Sequence, residues 1–387
     1  MAELDYELPR FIRVYKDGTV ERLMGTDTVP AGIDPETGVE SKDVLVTPES
    51  GVSARLYLPK IRNSAKKLPL VIYFHGGGFY CFTPFSTFYQ PFLNSFVAES
   101  NIILISIDYR RPPEHPVPVA YDDSWNAIRW VASHCNGTGP EAWLNEYADF
   151  GRVHISGDSA GANIAHCMAK RAGSEKVNGL DFDGLILMHP YFWGKDPVGG
   201  ETDDTEKRAY IEKFWVLACP TSSGADDPWM NPGLDPKLSS LGCKRALVFG
   251  TEDDFLKYRA KYYVEVLGQS GWAGRIEVVE TEGETHVFHL YKPKIEKSME
   301  LVHKLCLKTM GGGNRQKKAF GLFSIFRSAR TRRGTDVSGT DDFVKSYKVY
   351  RSDEDRGRWV AEPGIDRKAS AYIAKSQRNW NLADVSN

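Results

Sequence analysis

From residue 68 onward the chain alternates short, unbroken apolar runs with longer segments of helical periodicity. The runs cover residues 68–74, 102–107, 153–156, 185–188, 246–249 and 276–279, and most are rich in β-branched side chains. Continuous apolar runs of this length suit strands buried on both faces. The intervening segments at 86–99, 118–134, 160–171, 258–269 and 293–308 repeat their apolar residues with helical spacing. Strand and helix in strict alternation predict an α/β fold with a mostly parallel, doubly wound sheet and helices on both faces.

The pattern changes at three places. Before residue 60, apolar and polar residues alternate, and Lys16-Asp17-Gly18 and Pro48-Glu49-Ser50-Gly51 each separate two short strand-like runs. These read as antiparallel hairpins at the beginning of a sheet. Residues 24–40 between them are rich in Gly, Pro and Thr and are expected to form a loop over a pocket. Residues 191–241 hold three tryptophans but no strand, and so long an insertion is expected to be a lid or cap. After Met310 comes Gly311-Gly312-Gly313, then a run from Arg315 to Arg333 with seven cations and no acid. The expected organisation is one domain over 1–309, with cap elements at 1–40 and 191–241, and a basic, disordered extension over 310–387.

Charge supports that division. The formal net charge of −2 divides into +7 from residue 310 onward (16 Lys and Arg against 9 Asp and Glu) and −9 before it (33 against 42). An acidic body is a poor nucleic-acid binder. No apolar run approaches a membrane span. Residues 1–10 carry Glu3, Asp5 and Glu7 and resemble neither a signal nor a transit peptide. Six scattered cysteines without a Cys-x-x-Cys pair suggest a reducing compartment, so a cytoplasmic location is expected, with no disulfide framework or zinc site.

The chemistry begins at Gly157-Asp158-Ser159-Ala160-Gly161, which joins the run at 153–156 to an alanine-rich helical segment. A serine at the apex of a strand–turn–helix is the arrangement of a nucleophile elbow. Such a serine needs a base, an acid to orient the base, and donors for an oxyanion. The donors are expected at His75-Gly76-Gly77-Gly78, directly after the first buried strand, where glycines leave N–H groups unobstructed. Gly77 and Gly78, with the N–H of Ala160, can form a three-donor hole. The acid is expected after the run at 246–249, in Glu252-Asp253-Asp254-Phe255-Leu256. Asp254 is preferred because it precedes the apolar pair that starts the next helix, with Asp253 as the alternative. The base is expected last. His286 lies on a polar loop after the final run, whereas His289 sits among apolar residues as a packing position. The order Ser159, Asp254, His286 is that of an α/β-hydrolase. Phe79 and Tyr80 beside the glycine loop, with Trp215 in the insertion, are candidates to line an apolar acyl or aromatic pocket, packing being the alternative.

His75-Gly76-Gly77-Gly78-Phe79, Gly157-Asp158-Ser159-Ala160-Gly161 and Glu284-Thr285-His286-Val287-Phe288 resemble the plant carboxylesterase family, in the hormone-sensitive-lipase group of α/β-hydrolases. Asp108-Tyr109-Arg110, Pro113-Glu114-His115-Pro116, His189-Pro190-Tyr191-Phe192-Trp193 and Ser270-Gly271-Trp272 are similar to further blocks of that group. The resemblance spans residues 1–309. Arg111-Pro112 departs from it, and the extension has no counterpart. It implies hydrolysis of short-chain or aromatic carboxylic esters, a small-molecule substrate, no metal and no cofactor, with Ser159, Asp254 and His286 as triad. Two relatives suggest other functions. Gibberellin receptors lack the histidine, which His286 argues against here, and hydroxyisoflavanone dehydratases use a similar site to eliminate water.

Overall fold

The computed structural model describes residues 2–62, 66–309 and 347–348. Its first strands, β1 (Leu4–Leu8), β2 (Ile12–Tyr15) and β3 (Val20–Arg22), form a small antiparallel sheet of their own. The first expected hairpin is therefore present, but it does not begin the main sheet. The second does: β4 (Glu40–Thr47) and β5 (Val52–Leu58) pair antiparallel at one edge of that sheet. The exposed face of β4 leaves alternate residues in water, as an edge strand should.

The remaining strands are β6 (Leu68–Phe74), β7 (Ile103–Asp108), β8 (Ala148–Asp158), β9 (Phe182–Met188), β10 (Arg245–Thr251) and β11 (Arg275–Thr281). They run parallel in the order β11-β10-β9-β8-β6-β7, and β5 joins β7 antiparallel. All seven residues of β6 are buried, which its unbroken apolar composition requires. A two-residue strand, Tyr347–Lys348, pairs antiparallel with β11. The rest of the expected extension at 310–387 lies outside the described residues.

Helices α1 (Gln90–Ser100), α2 (Val117–Ala132), α3 (Ala142–Tyr147), α4 (Ala160–Ser174), α5 (Thr205–Ala218), α6 (Lys257–Gln269), α7 (Phe288–Tyr291) and α8 (Glu296–Thr309) fill the connections. α1, α7 and α8 pack together, α2 packs on α4, and α6 lies against β10 and β11. α4 is buried from Ala160 to Ala169 and rests on β6, β8 and β9, which its small side chains permit. No helix among the described residues is long and apolar enough to cross a membrane.

The 191–241 insertion contains no strand but does contain α5, started by Asp204, whose side chain accepts from the N–H groups of Glu206 and Lys207. Two sets of contacts fasten it. Asn163 of α4 donates through Nδ2 to the carbonyls of Tyr191 (3.1 Å) and Trp229 (2.8 Å) and accepts from Tyr121 Oη (2.7 Å). Glu201 accepts from Arg259 of α6 (Nε 2.6 Å, Nη2 2.9 Å) and from Arg208 of α5 (3.1 Å). Both guanidiniums lie over the Trp193 ring, at 4.6 Å for Arg208 and 5.4 Å for Arg259.

Candidate active site

β8 ends at Asp158 and α4 begins at Ala160, so Ser159 carries the whole change of direction. Its backbone sits at φ 51°, ψ −118°, a strained position for a side-chain-bearing residue. Tertiary contacts hold it there: Ser159 N donates to Met188 O (2.9 Å) and Tyr191 N donates to Ser159 O (3.0 Å). Gly161 is required by close approach, since a Cβ there would stand 2.0 Å from Phe74 O.

The three side chains expected to act together are brought together. Ser159 Oγ lies 2.9 Å from His286 Nε2, and His286 Nδ1 donates to Asp254 Oδ2 at 2.8 Å. Of the two expected acids, Asp254 is buried and makes this contact, whereas Asp253 is exposed. Asp254 Oδ1 also accepts from Leu256 N (2.9 Å). Burial pushes the Asp254 carboxyl up, but the charge of His286 and hydrogen bonds from His189 and His286 outweigh it and hold the acid well below its ordinary value. For His286, burial pulls down, while the charge and hydrogen bond of Asp254 and the charge of Asp158 raise it above 6.5. His289 is fully buried, with burial and the neighbouring His189 and His286 pushing it far below its ordinary value, as a packing histidine requires.

His189 was not singled out as a site residue by sequence reasoning. It is buried, and its Nδ1 donates to Asp254 Oδ2 (3.2 Å), the oxygen that also holds His286. One atom each from His189, Asp254 and His286 lie within 4.8 Å of one another, a grouping that could in principle hold a metal ion. An ion about 2.0–2.2 Å from each ligand would have to displace both Nδ1 protons. At 2.8 and 3.2 Å both Nδ1 atoms are instead within hydrogen-bonding distance of the same carboxylate oxygen.

The glycine loop follows β6. Gly77 adopts φ 96° and Gly78 φ 63°, and a Cβ on Gly77 would lie 2.3 Å from Cys81 O. Among the described residues, the N–H groups of Gly77, Gly78 and Ala160 have no acceptor in the protein. Two members of the expected oxyanion stretch have other employment. Gly76 N–H is taken by Tyr89 Oη (2.8 Å) and Asp158 Oδ1 (3.1 Å), so it is not a free donor. The His75 imidazole stacks on Tyr109 (centroids 4.3 Å apart), and its Nδ1 bonds Gly76 O at 2.9 Å.

The expected pocket residues pack against one another and their neighbours in the protein. Phe79, Tyr80 and Trp215 are completely buried. Phe79 meets Tyr191 and Trp215, Tyr80 Oη donates to Phe214 O (3.0 Å), and Trp215 Nε1 donates to Gly224 O (3.0 Å). They join the glycine loop to α5, and Phe11 of the N-terminal segment completes the contact against Phe214 at 4.7 Å. Phe255 is left in solvent beside the site, 53% exposed and 5.5 Å from the His286 ring. Sequence reasoning assigned it to helix packing, which Leu256 performs alone.

A family model described as the α/β-hydrolase fold matches residues 71–290. Probable carboxylesterase 7 of Arabidopsis thaliana is 49% identical over 296 residues, covering 76% of this chain and 94% of that protein. 2-Hydroxyisoflavanone dehydratase of Glycyrrhiza echinata is 42% identical over 312 residues, 78% of this chain and 95% of that one. A hyperthermophilic esterase from the archaeon Pyrobaculum calidifontis superposes with a TM-score of 0.58 at 25% identity, over 72% of this chain and 86% of its own.

Proposed function

The chain belongs to the α/β-hydrolase family, among its plant carboxylesterases, and we propose that it hydrolyses small carboxylic esters with Ser159, His286 and Asp254 as catalytic residues. The observation that carries this reading is the unbroken relay from Ser159 Oγ through the imidazole to Asp254 Oδ2, at 2.9 and 2.8 Å. His286 Nε2 takes the serine proton as Oγ attacks the ester carbonyl carbon. Asp254 fixes the tautomer with Nδ1 protonated and stabilises the imidazolium. The oxyanion is received by the N–H groups of Gly77, Gly78 and Ala160, the last at the positive end of α4. The alcohol departs with the proton from His286. Water, deprotonated by the same imidazole, then cleaves the acyl-enzyme to release the acid and restore Ser159.

The test is hydrolysis of p-nitrophenyl acetate and butyrate by the wild type, Ser159→Ala and His286→Ala. Both variants should lose turnover by several orders of magnitude, and undiminished turnover in Ser159→Ala overturns the proposal.

One relative favours a second reading. The dehydratase of Glycyrrhiza echinata matches 95% of its own length, so elimination of water from a hydroxyisoflavanone is the alternative reaction. His286 would then act as base on carbon, and Ser159 would form no acyl intermediate. Mass spectrometry after a pulse of p-nitrophenyl butyrate separates the two: an acyl adduct on Ser159 supports the esterase, and dehydration without an adduct supports the alternative.

A further inference from the structure

A second buried carboxylate lies directly behind the nucleophile and takes no part in the steps above. Asp158, at the end of β8, is 1% exposed. Three donors converge on it from outside its own strand. Tyr73 Oη of β6 donates to Oδ1 (2.7 Å), Tyr89 Oη donates to Oδ2 (3.0 Å), and Gly76 N–H donates to Oδ1 (3.1 Å). Gly76 N–H is shared with Tyr89 Oη at 2.8 Å, so carboxylate, phenol and peptide close a small ring of hydrogen bonds. The packing is equally tight, since a Cβ on Gly76 would stand 2.5 Å from Asp158 Oδ2. Behind the same loop, Tyr109 Oη donates to His75 O at 2.7 Å.

Gly76 immediately precedes the two free N–H groups of Gly77 and Gly78. The orientation of its peptide therefore sets the direction in which those groups point. We propose that Asp158 is a positioning residue, whose ionised carboxylate anchors Gly76, aims the donors of Gly77 and Gly78 at the oxyanion, and lends its charge to the His286 imidazolium. The inference rests on the esterase reading and assigns a role that reading leaves open.

The charge has consequences because few neighbours share the titration. Facing Asp158 are Tyr73, His75, Tyr89, Tyr109 with Arg111 beyond it, Tyr291, and His286 backed by Asp254. Burial raises all four tyrosines, so they stay neutral across the working range. Burial, with the Arg111 charge, pushes His75 down to about 3, so it is neutral as well. Burial pushes Asp158 up to about 6 against its hydrogen bonds and the His286 charge. Between pH 5 and 8, Asp158 and His286 are therefore the members of this group that change charge. When Asp158 takes a proton it becomes a donor, and one of its three donors loses its acceptor.

Asp158→Asn tests this, because asparagine keeps the volume but loses the charge and turns an NH2 toward a donor. On p-nitrophenyl acetate, kcat should fall by about 10²-fold with KM changed less than roughly threefold, as for a misaimed oxyanion donor. The acid limb of kcat/KM should also move to lower pH, because His286 has lost a negative neighbour. That displacement is what a merely structural role would not produce. A wild-type kcat, or an acid limb that stays in place, overturns the inference. Should the asparagine variant not fold, Tyr89→Phe removes the bridging hydroxyl. Its kcat should fall about tenfold at constant KM, and an unaltered kcat overturns the inference. The Ser159→Ala assay keeps the two proposals apart. Full turnover there defeats the esterase reading, whereas loss there combined with normal kinetics in Asp158→Asn defeats this inference alone.

Discussion

Replacing Glu201 by glutamine probes how the segment between β9 and β10 is held against the rest of the domain. The Glu201 side chain is 1% exposed, and its partners Arg259 and Arg208 are 2% and 11% exposed. Bonds of 2.6, 2.9 and 3.1 Å give two guanidiniums one shared carboxylate, and their other partners are the Trp193 ring and backbone carbonyls. Removing one partner of a buried ion pair costs about 3–5 kcal/mol, because the remaining charge is stranded away from water. About 300 folded residues carry an unfolding entropy of roughly 0.6 kcal/mol/K, so the melting temperature should fall by about 5–8 °C. Differential scanning calorimetry of Glu201→Gln measures it. The exposed Arg13–Glu21 pair, at 3.5 Å with side chains 42% and 47% exposed, supplies the control. Glu21→Gln should shift melting by less than about 1 °C. Replacing all three buried partners together, by Glu201→Met, Arg208→Leu and Arg259→Leu, should recover most of the loss, since no charge is then stranded. A melting temperature for Glu201→Gln within roughly 2 °C of wild type would refute the reasoning.

Two further outcomes follow from the site. Turnover needs neutral His286, whose proton the Asp254 charge and hydrogen bond retain against the opposing effect of burial, so kcat/KM on p-nitrophenyl acetate should rise with pH through a midpoint above 6.5. A midpoint at or below 6.5 would contradict the Asp254 contact as drawn. Gly161→Ala would force a methyl to 2.0 Å from Phe74 O and 2.6 Å from His75 O, displacing the strand end that leads into the glycine loop. Overpacking of this kind costs about 1–3 kcal/mol, and kcat should fall more than about tenfold; a fully active variant counts against the elbow geometry.

How far the chain could be read depended on whether a residue's role is local. β6 matches its expected limits of 68–74 because all seven residues are buried and the pattern has no competing explanation. β8 was legible only over 153–156, since Asp149, Gly151 and Arg152 interrupt the apolar run at the end that reaches the edge of the core. α5 was missed because its buried stripe is thin (Phe214, Trp215 and Ala218), although the Asp204-Thr205-Glu206 start carried a capping signal. That Ser159, Asp254 and His286 would meet was readable because each follows a strand, where chain order limits the choices. Asp158 and His189 were not, since their contacts form only where Tyr73, Tyr89 and Asp254 arrive from distant parts of the chain. The burial of Phe79, Tyr80 and Trp215 was not legible, because an aromatic next to a site looks the same in sequence whether it faces a ligand or the core.

The amide of Asn163 carries a last implication. It binds the carbonyls of Tyr191 and Trp229 at once, so both ends of the intervening segment are tied to one side chain on the helix that starts at the nucleophile. Closure entropy grows only slowly with loop length, so residues inserted at the exposed positions of this segment, away from buried Glu201, Phe214 and Trp215, should cost little. The helix that begins at Ser159 thus also fixes where this segment leaves the sheet and where it returns.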